Sequence, residues 1–189
     1  MKRIQKIIEI LFSPLLNIIE IFLFSLVYLV CRDCAFNYLQ RVSKRSLKII
    51  LKLYGATIGK GSSIQPGQIF HNCFNFKNLI IGKYCHIGKS CFFDLRDKIT
   101  ICDNVTISMQ STFITHTALF NSELKKERFQ PSSGQIIINS NVYIGAGSTI
   151  LQGVTIENNS VVGAKSLVNK TVKRNSLYAG IPAKKIKSL

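Results

Sequence analysis

The stretch Ile138-Asn-Ser-Asn-Val-Tyr-Ile144-Gly-Ala-Gly-Ser-Thr-Ile150-Leu-Gln-Gly-Val-Thr-Ile156-Glu-Asn-Asn-Ser-Val-Val162-Gly-Ala-Lys-Ser-Leu-Val168 carries an aliphatic residue at every sixth position without a break. The residues two before each of these, Ile136, Val142, Ser148, Val154, Ser160 and Ser166, are aliphatic or small. A helix repeats its apolar face near every third or fourth residue, and a half-buried strand every second. A step of six fits neither. It belongs to a chain that turns a corner every six residues, and short fixed repeats of this kind build a solenoid.

Upstream the same register continues in triplets: Ile58, Ile64 and Phe70; Ile81, Ile87 and Phe93; Ile101, Ile107 and Phe113. Three sixes make one 18-residue coil with three flat sides. Each triplet ends in Phe, so one corner of the triangular core is expected to stack ring on ring. Ile81 stands 23 residues past Ile58 and Ile101 stands 20 past Ile81, so these coils carry excursions of five and two residues. From Phe113 to Ile138 the chain runs 25 residues where a plain step needs six, an excess of 19. Such a loop inside a regular solenoid is usually functional or disordered, and this one leaves the coil directly after a histidine.

Composition bounds the rest. A chain of 189 residues suits one domain plus an appendage, and a 47% hydrophobic content is ample for a core. The net charge of +16 points to anionic membrane lipid or a phosphorylated cofactor as partner. No nucleic-acid motif accompanies the charge, so nucleic acid is set aside. Six cysteines in a chain of this length do not read as a disulfide framework. Cys85 and Cys91 fall on inward repeat positions, Cys31 and Cys34 form a lone CxxC, and a reduced, cytosol-facing setting is expected.

Residues 1–53 obey other rules. Ile10 to Cys31 is apolar apart from Asn17, Glu20 and a few serines, with Pro14 near its start. The length permits a membrane span, but Glu20 near the middle and Pro14 argue against a simple one. Arg41, Lys44, Arg45, Lys48 and Lys52 then recur at helical spacing on one face, and Lys2, Arg3 and Lys6 form a second basic cluster. An apolar helix with basic flanks reads as a segment lying on or dipping into the cytoplasmic leaflet. A helical cap over the open first coil is the other reading, and the two are compatible.

The run from Val142 to Ile156, its continuation Ser160-Val-Val-Gly-Ala-Lys-Ser-Leu-Val-Asn-Lys170, and Ala179-Gly-Ile-Pro-Ala-Lys-Lys-Ile186 resemble the hexapeptide-repeat acyltransferases. Within them the chain is similar to the galactoside, maltose and streptogramin O-acetyltransferases. Its entry segment, Leu51-Lys-Leu-Tyr-Gly-Ala-Thr-Ile-Gly-Lys60, resembles that of capsule and colanic-acid acetyltransferases. The resemblance implies a mainly β architecture, a left-handed parallel β-helix over 54–189, preceded by an α-helical, membrane-associating segment over 1–53. It also implies an active-site loop at about 114–135, a C-terminal tail that binds coenzyme A, and a homotrimer with active sites at subunit interfaces.

Acyl transfer from acetyl-CoA to a hydroxyl needs a base near its own pKa at the working pH, which suits histidine. The chain has His71, His86 and His116. His116, in Ser111-Thr-Phe-Ile-Thr-His-Thr117 where the long loop departs, is the expected general base; His71 and His86 read as surface or loop histidines. In the galactoside and maltose branch the histidine stands five residues past the inward position, where this chain has Ala118. Relatives of capsule type keep only the earlier one, before a loop closed by a segment like Ser132-Ser-Gly-Gln-Ile136. By resemblance, Asp94 binds the acceptor sugar, with Asp97 a weaker candidate, and the amide of Ala146 stabilises the oxyanion. Tyr143, Gly145, Ala146, Ala164, Asn169, Lys170 and Lys184 line the coenzyme A path, whereas Lys185 and Lys187 belong to a solvated tail.

The expected activity is therefore acetyl-CoA-dependent O-acetylation of a sugar in a surface polysaccharide or its lipid-linked precursor, at the inner face of a bacterial cytoplasmic membrane and without a metal. A small-molecule O-acetyltransferase is the alternative within the class. A γ-carbonic-anhydrase-like metal enzyme would need three converging histidines. A non-catalytic trimeric scaffold would bind acetyl-CoA without turnover.

Overall fold

The computed structural model describes residues 2–119 and 130–189, with side chains from residue 12 onward. Residues 120–129 of the expected active-site loop, and the side chains of Lys2, Arg3 and Lys6, lie outside the described part.

The hexad residues build three parallel sheets that form the sides of a triangular prism. The first side stacks Ile58, Ile81, Ile101, Ile138 and Ile156 in register. The second stacks Ile64, Ile87, Ile107, Ile144, Val162 and Tyr178. The third stacks Phe70, Phe93, Phe113, Ile150 and Val168. Every one of these is buried except Tyr178, and so are the companions two residues earlier, from Ala56 to Ser166. Each six-residue step thus gives the core two side chains and spends the rest on a corner. The expected aromatic stack is present: Phe70 and Phe93 lie 5.8 Å apart and Phe93 and Phe113 5.1 Å apart, with nearly parallel planes.

The corners are not equivalent. Entering the second side, Asn104, Asn141, Asn159 and Asn175 all take left-handed backbone angles, which asparagine tolerates. The amide of Asn141 donates to Asn159 and that of Asn159 to Asn175, each at 3.1 Å, as a ladder down the corner. The corner that follows the third side is different. All three excursions leave there, after Phe70, Phe93 and Phe113, so the insertions share a single edge of the prism as their point of departure.

Three helices precede the first coil: α1 (Lys2–Val30), α2 (Arg32–Leu39) and α3 (Lys44–Leu53). Ser43 caps α3, its hydroxyl accepting from the Ser46 N–H at 3.3 Å. Leu47, Ile50 and Leu51 of α3, with Phe24 and Leu39, are buried and continuous with the prism core. The end of a solenoid would otherwise expose that core and its unpaired strand edges. Rings extend the stack into the helices: Tyr28 to Phe36 is 6.1 Å, Phe36 to Phe76 5.6 Å and Phe76 to Phe70 4.9 Å.

The polar residues of α1 explain their presence in an apolar run. Asn17 Oδ1 accepts from the hydroxyls of Ser43 at 2.9 Å and Ser46 at 3.0 Å. Glu20 accepts from the Ser43 N–H at 3.1 Å and its hydroxyl at 2.8 Å, placing a carboxylate at the positive end of α3. Pro14 is carried inside α1. One expectation changes: Cys31 and Cys34 form a disulfide, the other four cysteines being free. Cys31 caps α2 and Cys34 follows one turn later, so helical spacing alone brings the sulfurs together.

At the far end, Ser176–Gly180 adds to the second side beside Val161 and Val162, and Ala183–Ser188 folds back against it as an antiparallel strand.

Candidate active site

This shared edge gathers the side chains with catalytic potential. Asp94 and His116 both follow a phenylalanine of the third side, Asp94 by one residue and His116 by three, from neighbouring coils. The carboxylate of Asp94 is 1% exposed and its Oδ2 lies 2.6 Å from Nδ1 of His116, whose side chain is 20% exposed. The same oxygen accepts from the Thr115 N–H at 2.9 Å and hydroxyl at 3.1 Å. Oδ1 accepts from the Asn72 amide at 3.0 Å, and that amide stands 3.4 Å from both ring nitrogens of His116.

These contacts set the electrostatics. Burial opposes the charge on Asp94, but the hydrogen bonds from His116, Asn72 and the Thr115 N–H outweigh it and hold the carboxyl below its usual range. An ionised carboxylate can only accept, so Nδ1 of His116 carries the proton and Nε2 offers a lone pair. Cys73 is close by, but burial and then the charge of Asp94 push its thiol up to about 12, which keeps it protonated.

Asp94 therefore does not stand where the sequence reading put it. Expected to meet the acceptor, it is turned into the prism wall and its oxygens are occupied by its own chain. The physical reason is the Thr115 N–H, which a coil stacked on Asp94 would otherwise bury without a partner. The carboxylate of Asp97 accepts from the Lys98 N–H at 2.6 Å within its own turn, and only its backbone N–H reaches the cluster, donating to the Thr115 hydroxyl at 3.1 Å. His71 and His86 are exposed; His86 lies on the second side, away from His116. Among the described residues no three His, Cys, Asp or Glu side chains form a group that could hold a metal.

Three contributors escaped the sequence reading: Asn72, Thr115 and Arg96. Asn72 has a left-handed φ of 54° in the first excursion. Arg96 lines two hollows. One, of about 140 Å³, lies between His116, Ala118 and the strand pairing of His116 with Ser133 that closes the base of the long loop. The other, of about 390 Å³, runs past Asn72 and Phe74 to Asp33 and Phe36 of α2. Gln152 of the next coil pins the loop base by donating to Ser132 at 2.7 Å.

The remaining expected residues divide between two edges. Asn169 and Lys170 follow Val168 and share the edge of His116, further along the prism. Gly145, Ala146 and Ala164 belong to the edge between the second and third sides, and Tyr143 stands on the outer face of the second side beside it. Gly145 is fixed there by packing, since an added Cβ would meet the Ala164 nitrogen at 2.4 Å. Ala146 accepts from the Lys165 N–H at 2.9 Å, and among the described residues its own N–H finds no acceptor. Ala179, opposite Lys184 in the hairpin, continues this column of small residues past Gly163. Tyr143 is exposed, its hydroxyl 3.1 Å from that of Ser108. A whole side of the prism thus separates the Ala146 edge from His116.

Residues 135–170 match the family model described as bacterial transferase hexapeptide (six repeats). The chain is 29% identical to the galactoside O-acetyltransferase of Escherichia coli K12 over 82% of its own length and 74% of that protein. It is 37% identical to a putative acetyltransferase of Staphylococcus aureus, of which it spans 56%. A hexapeptide-repeat-containing acetyltransferase from Vibrio cholerae superposes with a TM-score of 0.70 at 30% identity, covering 80% of this chain and 84% of that one. The same Vibrio protein complexed with acetyl coenzyme A superposes equally well, with a TM-score of 0.70 at 26% identity, over 90% and 85% of the two chains.

Proposed function

This chain belongs to the hexapeptide-repeat acetyltransferases, and from that premise we propose that it moves the acetyl group of acetyl-CoA to a hydroxyl of a sugar in a surface polysaccharide or its lipid-linked precursor. The observation that carries the reading is the 2.6 Å contact between His116 and Asp94 at the point where the long loop departs.

A hydroxyl must lose its proton as it attacks a thioester. His116 receives that proton on Nε2 while the new C–O bond forms. Asp94 holds the ring and stabilises the imidazolium, without itself becoming protonated. His116 then returns the proton to the departing sulfur of coenzyme A. The Ala146 N–H, a fixed donor that needs no reorganisation, serves the oxyanion. Asn72 and Thr115 act on the reaction through Asp94.

Ala146 and His116 lie on different edges of one chain, so this mechanism requires two copies. The reading is a homotrimer in which the His116 edge of one copy, with Asn169 and Lys170, faces the small-residue edge of the next. The arm of coenzyme A lies in that cleft along Tyr143, Gly145, Ala146 and Ala164, and Lys184 meets its phosphate as a point charge. The hollow between Asn72, Arg96 and Phe36 offers the acceptor sugar room, and Asn72 links its wall to the His116 ring. The apolar α1 and the basic α3 support a lipid-linked acceptor and a place at the inner face of the cytoplasmic membrane.

Thiol release from acetyl-CoA by the detergent-purified protein tests the proposal, with membrane glycolipid extract and soluble sugars offered separately. Release that depends on the lipid fraction and is lost in His116→Ala is the expected result. Turnover with soluble sugars alone would keep the enzyme class and remove the lipid-linked acceptor. Binding of acetyl-CoA without release in any acceptor fraction would overturn the proposal.

A further inference from the structure

At 100° per residue, the exposed side chains of α1 fall on one arc. Leu15, Leu16, Ile18, Ile19, Phe22, Leu23, Leu26 and Leu29 occupy it with Phe12 and Val30, and all ten are exposed. The arc is about 160° wide and contains no polar residue. Ser13, Asn17, Glu20, Phe24 and Tyr28 occupy the opposite arc, where Asn17, Glu20 and Phe24 engage α3 and the core. An apolar face of this extent is not left to water.

Two geometries could cover it with lipid. Phe12–Val30 is long and apolar enough to cross a bilayer. Yet Asn17 and Glu20, bonded to Ser43, sit near the middle of that stretch, and Lys44 and Arg45 follow Ser43 directly. A crossing helix would draw Glu20, both cations and the start of α3 toward the hydrocarbon centre, the costliest depth for charge. A helix lying flat incurs no such penalty. Its polar arc stays on the protein, its apolar arc enters the acyl chains, and the exposed Arg41, Lys44, Arg45 and Lys52 flank it at headgroup level.

We propose that α1 lies in the plane of one leaflet of an anionic bilayer, seated by its Leu15–Phe22–Leu29 line and held by the basic residues of α3, and does not cross. The inference rests on the membrane-associated reading above and specifies how the helix lies. The three named residues are successive sevens along one line of the helix, so end to end they span about 21 Å of helix. In the flat geometry they share one depth; in a span they do not.

The chain contains no tryptophan and six tyrosines, so Leu15→Trp, Phe22→Trp and Leu29→Trp each provide a single tryptophan in the full-length protein, excited at wavelengths where tyrosine does not absorb. Each is mixed with vesicles of equimolar phosphatidylcholine and phosphatidylglycerol containing lipids brominated at shallow or deep positions, and flotation is scored in parallel. The expected result is flotation, with all three tryptophans quenched alike and most by the shallow bromines. Replacing Arg41, Lys44, Arg45 and Lys52 by Gln should weaken binding about tenfold or more. Deep quenching of position 22 with shallow or absent quenching at 15 and 29 would overturn the flat geometry in favour of a span. Flotation without quenching would show that another surface meets lipid, with the α1 face covered by a second copy of the chain. Absence of flotation would overturn the membrane reading itself, whatever the quenching.

Discussion

Nδ1 of His116 and Oδ2 of Asp94 meet at 2.6 Å although 22 residues separate them, because each follows a phenylalanine of the same side in neighbouring coils. The stacking of coils, rather than any local motif, makes the pair. It yields the first expectation. His116→Ala should reduce turnover by about 10² or more, and Asp94→Asn by a similar factor, since the ring then loses its fixed tautomer. Coenzyme A affinity, read by titration calorimetry, should be nearly unchanged in both.

Asp94 also links stability to pH. Its folded-state carboxyl is held below the ordinary 3.8, so it binds protons less readily folded than unfolded. The stabilisation is thus complete above that ordinary value and is lost as pH falls through the depressed one. The melting-temperature gap between the parent chain and Asp94→Asn should shrink as pH falls below about 4, where Asp94 takes up its proton. A gap that went on widening below about pH 4 would contradict the sign.

Ser43 serves α3 as its cap and α1 as its tether. Ser43→Ala should cost about 1–2 kcal/mol in denaturant titration, from the lost cap and the partners left on Asn17 and Glu20. Activity per folded molecule should persist in detergent, because Ser43 is remote from His116.

Gly145 separates packing from cofactor contact. Gly145→Ala drives a methyl toward the Ala164 nitrogen, 2.4 Å away before relaxation. Overpacking of this kind costs about 1–3 kcal/mol. Differential scanning calorimetry without coenzyme A should record a lower melting temperature; an unchanged one would mean that the coil spacing yields freely.

The hexad register was legible because its cause is local: a corner every six residues forces the same inward position each time, from Ile58 to Val168. The lengths of the excursions were legible for the same reason, and so was the place of His116 at the start of the longest. The direction of Asp94 was not, since nothing near it in sequence reveals the Thr115 N–H that claims it from the next coil. Asn72 was invisible on similar grounds, being useful only through residues 22 and 44 positions away. Glu20 looked like a flaw in an apolar run because Ser43, its partner, lies on another helix. Spacing within an element is written in the sequence; pairing between elements emerges only when coils stack.

The unbroken file of rings from Tyr28 through Phe36, Phe76 and Phe70 to Phe93 and Phe113 bears on any attempt to shorten the chain. Cutting away the first 53 residues would remove Tyr28 and Phe36 and uncover Phe76, which is fully buried and abuts Phe70 at the head of the stack. A trimmed protein made for easier handling would present a wet aromatic face at its first coil and would clump rather than behave. The segment that resembles a detachable anchor is the lid of the barrel-like core, so heating should melt helices and coils in one step.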